Sequence, residues 1–227
     1  LWAVATDNLT IDNLTLDTNR DGLDIDCCRN VRVSNCSINS PTDDGICLKS
    51  SFALGYARPT ENVTIVNCLV SGYAEGTLLD GTCVRSDDLR KVPGRPTGRI
   101  KLGTEANGGF KNITIANCVF DYCRGLALEE VDGGLMEDIS ISNLTMRTIL
   151  NAPIFIRLGA RQRGPNHPPV GEARRINISN VVASDVASEH GILITGVPGH
   201  AVEDVSLSNI RILYRGGGTA ADAVRQV

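Results

Sequence analysis

Short segments of the chain alternate apolar and polar residues in one recurring motif, asparagine–apolar–any–apolar–any–asparagine. It appears as NLTIDN (8–13), NVRVSN (30–35), NVTIVN (62–67) and NITIAN (112–117), with shifted variants at 138–143, 176–180 and 204–209. This alternation predicts β-strands with one buried face. The closing asparagines recur at 13, 35, 67, 117, 143, 180 and 209. A unit that recurs at such intervals is typical of a solenoid.

A second strand is predicted in each repeat, opened in most cases by glycine, where the chain must bend sharply. These segments are GLDID (22–26), GICLKS (45–50), GTLLDG (76–81), GRIKLG (98–103), GLALEE (125–130), PIFIRL (153–158) and GILITG (191–196). Short strands without helical periodicity indicate an all-β fold, a right-handed parallel β-helix. The interval from Asn67 to Asn117 fits either two coils or one coil with a large loop. We expect the closing asparagines to form an internal ladder that bonds backbone groups of neighbouring coils.

The whole chain, 1–227, is predicted to form one β-helix domain that lacks the N-terminal coils and cap, with a tail at 216–227. Three stretches interrupt the rhythm and are predicted as loops suited to binding, 51–60, 83–97 and 159–174. Eight cysteines occur, three of them in the same Asn-Cys setting, at 36, 68 and 118. Their recurrence favours reduced, stacked and buried thiols over disulfides. No cysteine spacing resembles a zinc site.

Composition narrows the partners of the chain. A net charge of −4 gives no sign of nucleic-acid binding. No apolar run is long enough to cross a membrane, and the first residues do not form a signal peptide. We therefore expect no nucleic-acid or membrane partner.

Carboxylates are densest between residues 19 and 50. Asp21 and the pair Asp43–Asp44 stand about one repeat apart, so matching places on successive coils would bring them together. Repulsion among three carboxylates should raise at least one pKa. A carboxylic acid beside a carboxylate is equipped for acid–base chemistry on a glycosidic bond.

Two aspartate motifs resemble glycoside hydrolase family 28, the polygalacturonase and rhamnogalacturonase group. Asn19-Arg-Asp21-Gly22 is similar to the family's Asn-Thr-Asp-Gly, and Thr42-Asp-Asp-Gly-Ile-Cys-Leu-Lys-Ser50 to its Gly-Asp-Asp-Cys-Ile-Ala-Ile-Lys-Ser. The resemblance implies Asp43 as general acid, with Asp21 and Asp44 holding and activating water. It also implies inversion, with carboxylates roughly 6.5–9.5 Å apart. Lys49 is expected to face the same groove and contact substrate.

The chain departs from the family pattern in two places. The family's Gly-His-Gly histidine is missing, and Glu75 stands nearest its place, so Glu75 becomes a candidate substrate contact. Arg99-Ile-Lys101 spells the family's cationic motif, which would clamp a uronate carboxylate. In a second register this strand corresponds to the family's Gly-Ser-Glu strand one coil earlier. We expect Arg99 and Lys101 to face the groove in either register.

Further groove candidates are weaker. Glu105 and Glu129 lie in the two strands that are alternatives for the family's cationic motif, which makes them candidates for the groove. Arg157, Arg161 and Arg163 form a basic cluster that suits either the binding of uronates or a solvated loop edge. His167 lies in a long loop and is a possible substrate contact, whereas His190 and His200 resemble turn residues.

The resulting hypothesis is an inverting hydrolase of polygalacturonan or rhamnogalacturonan, exo-acting or specific for a branched substrate, without cofactor or metal. A monomer that is secreted or periplasmic fits an extracellular polymer as substrate. The alternatives are a non-catalytic carbohydrate-binding or structural β-helix and a calcium-dependent pectate-lyase-like enzyme.

Overall fold

The computed structural model describes residues 1–92, 96–188, 190–217, 219–221 and 224. Its strands are named in chain order. One parallel sheet has seven strands, neighbours in the order given: β1 (Trp2–Val4), β4 (Leu23–Asp26), β7 (Ile46–Ser50), β10 (Ile100–Ala106), β12 (Leu126–Glu130), β14 (Ile154–Leu158) and β16 (Leu193–Thr195). We call it the first sheet.

The second sheet runs beside it in the order β2 (Thr10–Asp12), β5 (Arg29–Ser34), β8 (Thr60–Val66), β11 (Phe110–Cys123), β13 (Leu135–Ile149), β15 (Glu172–Val186) and β17 (Val202–Tyr214). A short third face contains β3 (Thr15–Asp17), β6 (Ser37–Asn39) and β9 (Leu69–Ser71), and it pairs with the second half of β11. Each strand pairs in parallel with its equivalent one coil away. The predicted right-handed parallel β-helix is confirmed.

Aliphatic side chains stack in rows along the helix axis because every parallel pair is in register. In the first sheet the row Leu23, Ile46, Ile100, Leu126 and Ile154 is fully buried. Removing such side chains from water is worth about 1.5–3 kcal/mol each. The outward positions of the same strands remain available for polar groups, since successive residues of a strand point to opposite sides.

The long interval before Asn117 is one coil with a large excursion. Strand β8 pairs directly with β11, and β7 pairs directly with β10. The predicted strand at 76–81 is therefore wrong: these residues form turns, followed by the short helix α1 (Asp87–Arg90). Stacking of Tyr73 on Tyr122, with ring centroids 5.5 Å apart, and Arg85 over Tyr122 hold the excursion against the coils.

The asparagine ladder lies on the outside of the coils, contrary to the internal ladder predicted. From Asn67 onward, each side-chain amide donates to the side-chain oxygen of the ladder asparagine one coil earlier, as Asn143 does to Asn117 at 3.0 Å and Asn180 to Asn143 at 3.2 Å. The amide of Asn35 donates instead to Asp12. The ladder asparagines have φ near +56°. Asparagine tolerates this left-handed conformation better than other non-glycine residues, so the ladder occupies the bends of the coil.

The cysteines are free thiols, and all except Cys83 are buried. Cys36, Cys68 and Cys118 lie at equivalent places on successive coils, as the Asn-Cys setting predicted. The predicted tail, 216–227, and the loop at 83–97 lie partly outside the described residues. Among the residues that are described, no helix is long and apolar enough to cross a membrane.

Replacement of Asn143 tests the ladder. Asn143→Ala removes two amide hydrogen bonds and places alanine, which tolerates a left-handed φ less well than asparagine, at this position. We therefore expect a loss of about 1–2 kcal/mol in the free energy of unfolding. Asn143→Gly should lose less, since glycine adopts this φ without strain. Asn177→Ala, on the exposed face of β15, is the control for chemical denaturation. Equal losses for Ala and Gly would contradict a role for backbone conformation.

Glu130 is a fully buried carboxyl at the end of β12, and it accepts a hydrogen bond from the Gly134 amide at 2.9 Å. Its second oxygen, Oε2, is buried without a partner among the described residues. Burial raises the pKa of Glu130 from 4.5 to about 8. The folded chain therefore holds this group as a neutral acid near pH 7.

The pH dependence of stability should report this proton. The pKa of Glu130 is higher in the folded chain than in the unfolded chain. Its contribution to the free energy of unfolding is therefore complete below pH 4.5 and is lost as pH rises to about 8. The slope of this loss is at most about 1.4 kcal/mol per pH unit. Glu130→Gln should remove this decline from denaturation curves measured across the range. Exposed Glu203→Gln is the control; a Glu130→Gln slope that matches the wild type would refute the assignment.

Candidate active site

The outward face of the first sheet forms the floor of the site. Register places Asp24, Cys47 and Lys101 in one row across β4, β7 and β10, while Asp26 and Lys49 form the next row. Neighbouring strands are about 4.8 Å apart. Side chains from three distant parts of the sequence therefore converge within hydrogen-bonding reach.

Asp44 is the buried centre of this cluster. Its Oδ1 accepts from Arg99 Nε at 2.8 Å, and its Oδ2 accepts from Lys101 Nζ at 2.9 Å. Burial alone would raise the pKa of Asp44, but the charges of Arg99 and Lys101 outweigh it and hold this pKa below its usual value. Asp44 is consequently a fixed, ionised carboxylate at neutral pH.

Gly98 brings Arg99 to this position. Its backbone N–H donates to the Asp43 carbonyl at 2.9 Å, and its φ of +51° suits glycine. A β-carbon at residue 98 would collide with the carbonyl of Ser71. The return of the excursion at this glycine places Arg99 beside the aspartate pair.

Asp43 lies in the opposite electrostatic state from its neighbour. Its side chain is 35% exposed, and Arg20, the cation beside it, is solvated and 3.9 Å away. Burial is the largest cause of the raised pKa of Asp43. The charges of Asp21 and Asp44 and a hydrogen bond with Asp21 raise this pKa further. That hydrogen bond requires a proton on one of the two carboxyls, and the raised pKa assigns it to Asp43.

Asp21 is held from the other side by Lys49. Lys49 Nζ donates to Asp21 Oδ2 and to Asp24 Oδ2, both at 2.7 Å. Burial opposes the charge on Lys49, but these hydrogen bonds contribute to a net rise in its pKa. Oδ1 of Asp21 is buried and accepts no hydrogen bond from an N–H or hydroxyl of the described residues, which leaves it available to a protonated acid or a water.

The three carboxyls are closer together than the family resemblance implies. The charge of Asp21 and a hydrogen bond with it help to raise the pKa of Asp43, and ligand oxygens of Asp21 and Asp44 lie within 4.8 Å of each other. Inverting glycosidases separate their two carboxyls by roughly 6.5–9.5 Å. The spacing of the unliganded cluster therefore does not itself indicate inversion.

Strand β10 lies on the coil directly after β7, so Arg99 and Lys101 stand one coil beyond the aspartate pair. Both contact Asp44, and their side chains are largely buried. Glu75, in contrast, is exposed in a turn of the excursion, and among described residues it forms no hydrogen bond or ion pair with the cluster.

The weaker candidates separate into two groups. Glu129 joins the cluster by accepting from Arg99 at 3.3 Å, with Arg157 4.0 Å away. Glu105 pairs instead with Arg161 at 3.5 Å, and Arg161 also binds buried Asp132. Arg157 therefore lies beside the cluster, whereas Arg161 and Arg163 both contact Asp132. His167 is exposed in its loop, and His200 lies near Arg174 at a separate surface pocket.

Sequence reasoning missed three residues of the groove. Asp24 lies beside Cys47 in one outward row. Residues two apart on a strand point to the same side, so the outward positions of Asp26 and Lys49 indicate this placement. Arg124 and His190 line a cavity of about 290 Å³ with Arg99 and Glu129. Arg124 lies two residues before β12, in the turn that leads into a strand of the first sheet, as Arg99 lies directly before β10. This similar placement was the available signal for Arg124, and His190 had none.

Asp21, Asp44 and Cys47 are the described groups nearest to a metal-ligand arrangement, with ligand atoms within 4.8 Å of one another. Both Asp44 oxygens already accept hydrogen bonds from cations. Burial raises the pKa of the Cys47 thiol well above its usual value, so the thiolate ligand is disfavoured. This donor set does not suit a divalent cation.

Comparison with known proteins agrees with the fold. The family model "Right handed beta helix region" matches residues 2–88. A probable polygalacturonase of Vitis vinifera is 24% identical over 90% of this chain and 39% of its own length. The solved polygalacturonase of Erwinia carotovora ssp. carotovora superposes with a TM-score of 0.62 at 15% identity, over 94% of this chain and 50% of that one. The chain is thus similar in fold to polygalacturonases. It spans half or less of the length of these polygalacturonases.

Removal of Lys101 should change the titration of Asp44. Lys101→Met leaves a single cation on the buried carboxylate, so we expect the pKa of Asp44 to rise in a carboxyl-detected NMR titration. Lys111→Met, on the second sheet, should leave it unchanged. An unaltered Asp44 titration in Lys101→Met would contradict the assigned electrostatics.

Proposed function

We propose that this polygalacturonase-like chain belongs to glycoside hydrolase family 28 and hydrolyses galacturonate-containing pectic polysaccharide. The observation that carries the proposal is the pair of adjacent aspartates in opposite states. Asp43 is a half-exposed acid with a raised pKa, and Asp44 is a buried carboxylate ionised by two cations. Such a division supplies a proton donor and a fixed negative charge at one place.

In the proposed reaction Asp43 donates its proton to the glycosidic oxygen as the bond to the anomeric carbon breaks. A water held by Asp21 and Asp44 attacks the opposite face of that carbon and gives up a proton to carboxylate. Asp21 is the better base, because its Oδ1 accepts no hydrogen bond from an N–H or hydroxyl group of the described residues, whereas both oxygens of Asp44 accept from cations. The product then has inverted configuration.

The cations beside the carboxylates suit an acidic sugar. Lys101 and Arg99 reach the groove from the coil after the aspartate pair. The ammonium of Lys49 holds Asp21 and Asp24, so its role is to position the carboxylates rather than to bind sugar. The excursion after Tyr73 and the loop at 159–174 flank the coils, and we infer that they restrict the polymer to exo attack or to a branched substrate.

The surrounding features follow from this substrate. A pectic polymer is extracellular, which makes a secreted or periplasmic monomer the expected form, and the acid–base step uses side chains alone. Similarity to a probable polygalacturonase and to a solved polygalacturonase supports hydrolysis over the lyase and binding-module alternatives.

The decisive experiment measures reducing ends released from polygalacturonan and rhamnogalacturonan in the presence of EDTA. Asp43→Asn keeps the size of the side chain but removes the transferable proton, so we expect the rate to fall about 100-fold or more. Release should survive EDTA and yield products without the ultraviolet absorbance of an unsaturated sugar. NMR of the first product anomer tests inversion.

Asp88→Asn is the matched control, since Asp88 lies in α1 and pairs only with Lys91 among described residues. Its rate should equal that of the wild type. Release that requires calcium, or unsaturated products, would indicate a lyase. A folded chain that releases nothing from either polymer would refute hydrolysis by this chain.

A further inference from the structure

A cavity of about 290 Å³ opens beside the carboxylate cluster, on the side of the later coils. Arg99 and Glu129 form its near wall, while Arg124, Phe155, Arg157 and His190 complete the lining. Arg99 touches Asp44 at 2.8 Å, so the cavity and the cluster are continuous. Strand β7 follows Asp44, and Arg157 lies on β14, three strands farther along the first sheet. This separation is roughly 14 Å along the axis.

Positive charge is in excess in this cavity. The carboxylates of Asp44 and Glu129 are balanced by Arg99 and Lys101, which contact them directly. Arg124 makes no side-chain hydrogen bond or ion pair with a described residue. Arg157 has only Glu129, at 4.0 Å, and its side chain is 50% exposed. Two guanidinium groups therefore face the cavity without a full counter-charge.

Other groups in the cavity also lack partners. Nδ1 of His190 is buried and finds no hydrogen-bond partner within the described part of the chain. A buried polar atom without a partner is uncommon in a native structure, and a bound ligand is one way to satisfy it. The ring of Phe155, one row from Arg157 on the same strand, gives the floor an apolar surface suited to a sugar face.

We propose that this cavity binds the carboxylate of a second acidic sugar residue, a subsite separate from the one at Arg99 and Lys101. Arg157 and Arg124 bind the carboxylate, His190 contributes a polar contact, and Phe155 supports the ring. Guanidinium groups suit this role because their planar N–H donors match carboxylate geometry. The inference rests on the proposed function for the identity of the polymer, and it adds the requirement for consecutive acidic residues.

The test separates binding from cleavage. In an Asp43→Asn background, which does not turn over, calorimetry compares trigalacturonate with its fully methyl-esterified form, which has the same rings without charge. Arg157→Ala should weaken trigalacturonate binding roughly tenfold, as expected for a lost charged hydrogen bond, and change ester binding less than twofold. Arg157→Lys should recover part of the affinity, and Arg32→Ala, on the second sheet, should have no effect.

The outcomes distinguish the two proposals. Charge-selective loss on Arg157→Ala supports the subsite even if the wild type releases no reducing ends. Cleavage that proceeds while Arg157→Ala binds both ligands like its parent overturns the subsite and leaves the hydrolase standing. Equal weakening for acid and ester, or no binding of either ligand by the parent, also overturns the subsite. Circular dichroism verifies folding, and Arg124→Ala provides a second, independent variant.

Discussion

The site depends on the register between consecutive coils, and above all on the contact of Asp44 with Arg99 and Lys101. Asp44 ends the turn before β7, and the two cations begin the next strand of the sheet, 55 and 57 residues later. Parallel pairing at about 4.8 Å brings them together. A slip of one residue would turn Lys101 into the core and remove a buried carboxylate's counter-charge, which costs several kcal/mol. Fold and site are thus fixed by the same pairing.

This contact also divides the work between two neighbours in sequence. Asp44 points into the coil stack and meets two cations, while Asp43 points toward Asp21 and solvent. Because the negative charge of Asp44 is itself one cause of the raised pKa of Asp43, ionisation of one favours protonation of the other. The same arrangement leaves Arg124 and Arg157 unbalanced, so that the positive field continues along the groove beyond the carboxylates.

Stability and chemistry occupy different sides of the coil. The asparagine ladder and the stacked thiols lie along the second sheet and its bends, far from the outward face of the first sheet. Changes at outward positions leave the core row beneath intact, since successive strand residues point to opposite sides. The excursion after Tyr73 is tolerated because β8 and β11 pair directly across it.

The sequence by itself determined the parallel β-helix, the proximity of Asp21, Asp43 and Asp44, and the placement of Arg99 and Lys101 on the same side of their strand. These follow from local alternation and from repeats, which are properties of neighbouring residues. The tertiary structure alone decided that 76–81 is turn rather than strand, that the ladder is external, that β10 directly follows β7, and that Glu75 stays outside while Asp24, Arg124 and His190 belong to the groove. These features depend on which coils are neighbours. The loops between the strands differ in length, so residue spacing in the sequence does not show which coils these are.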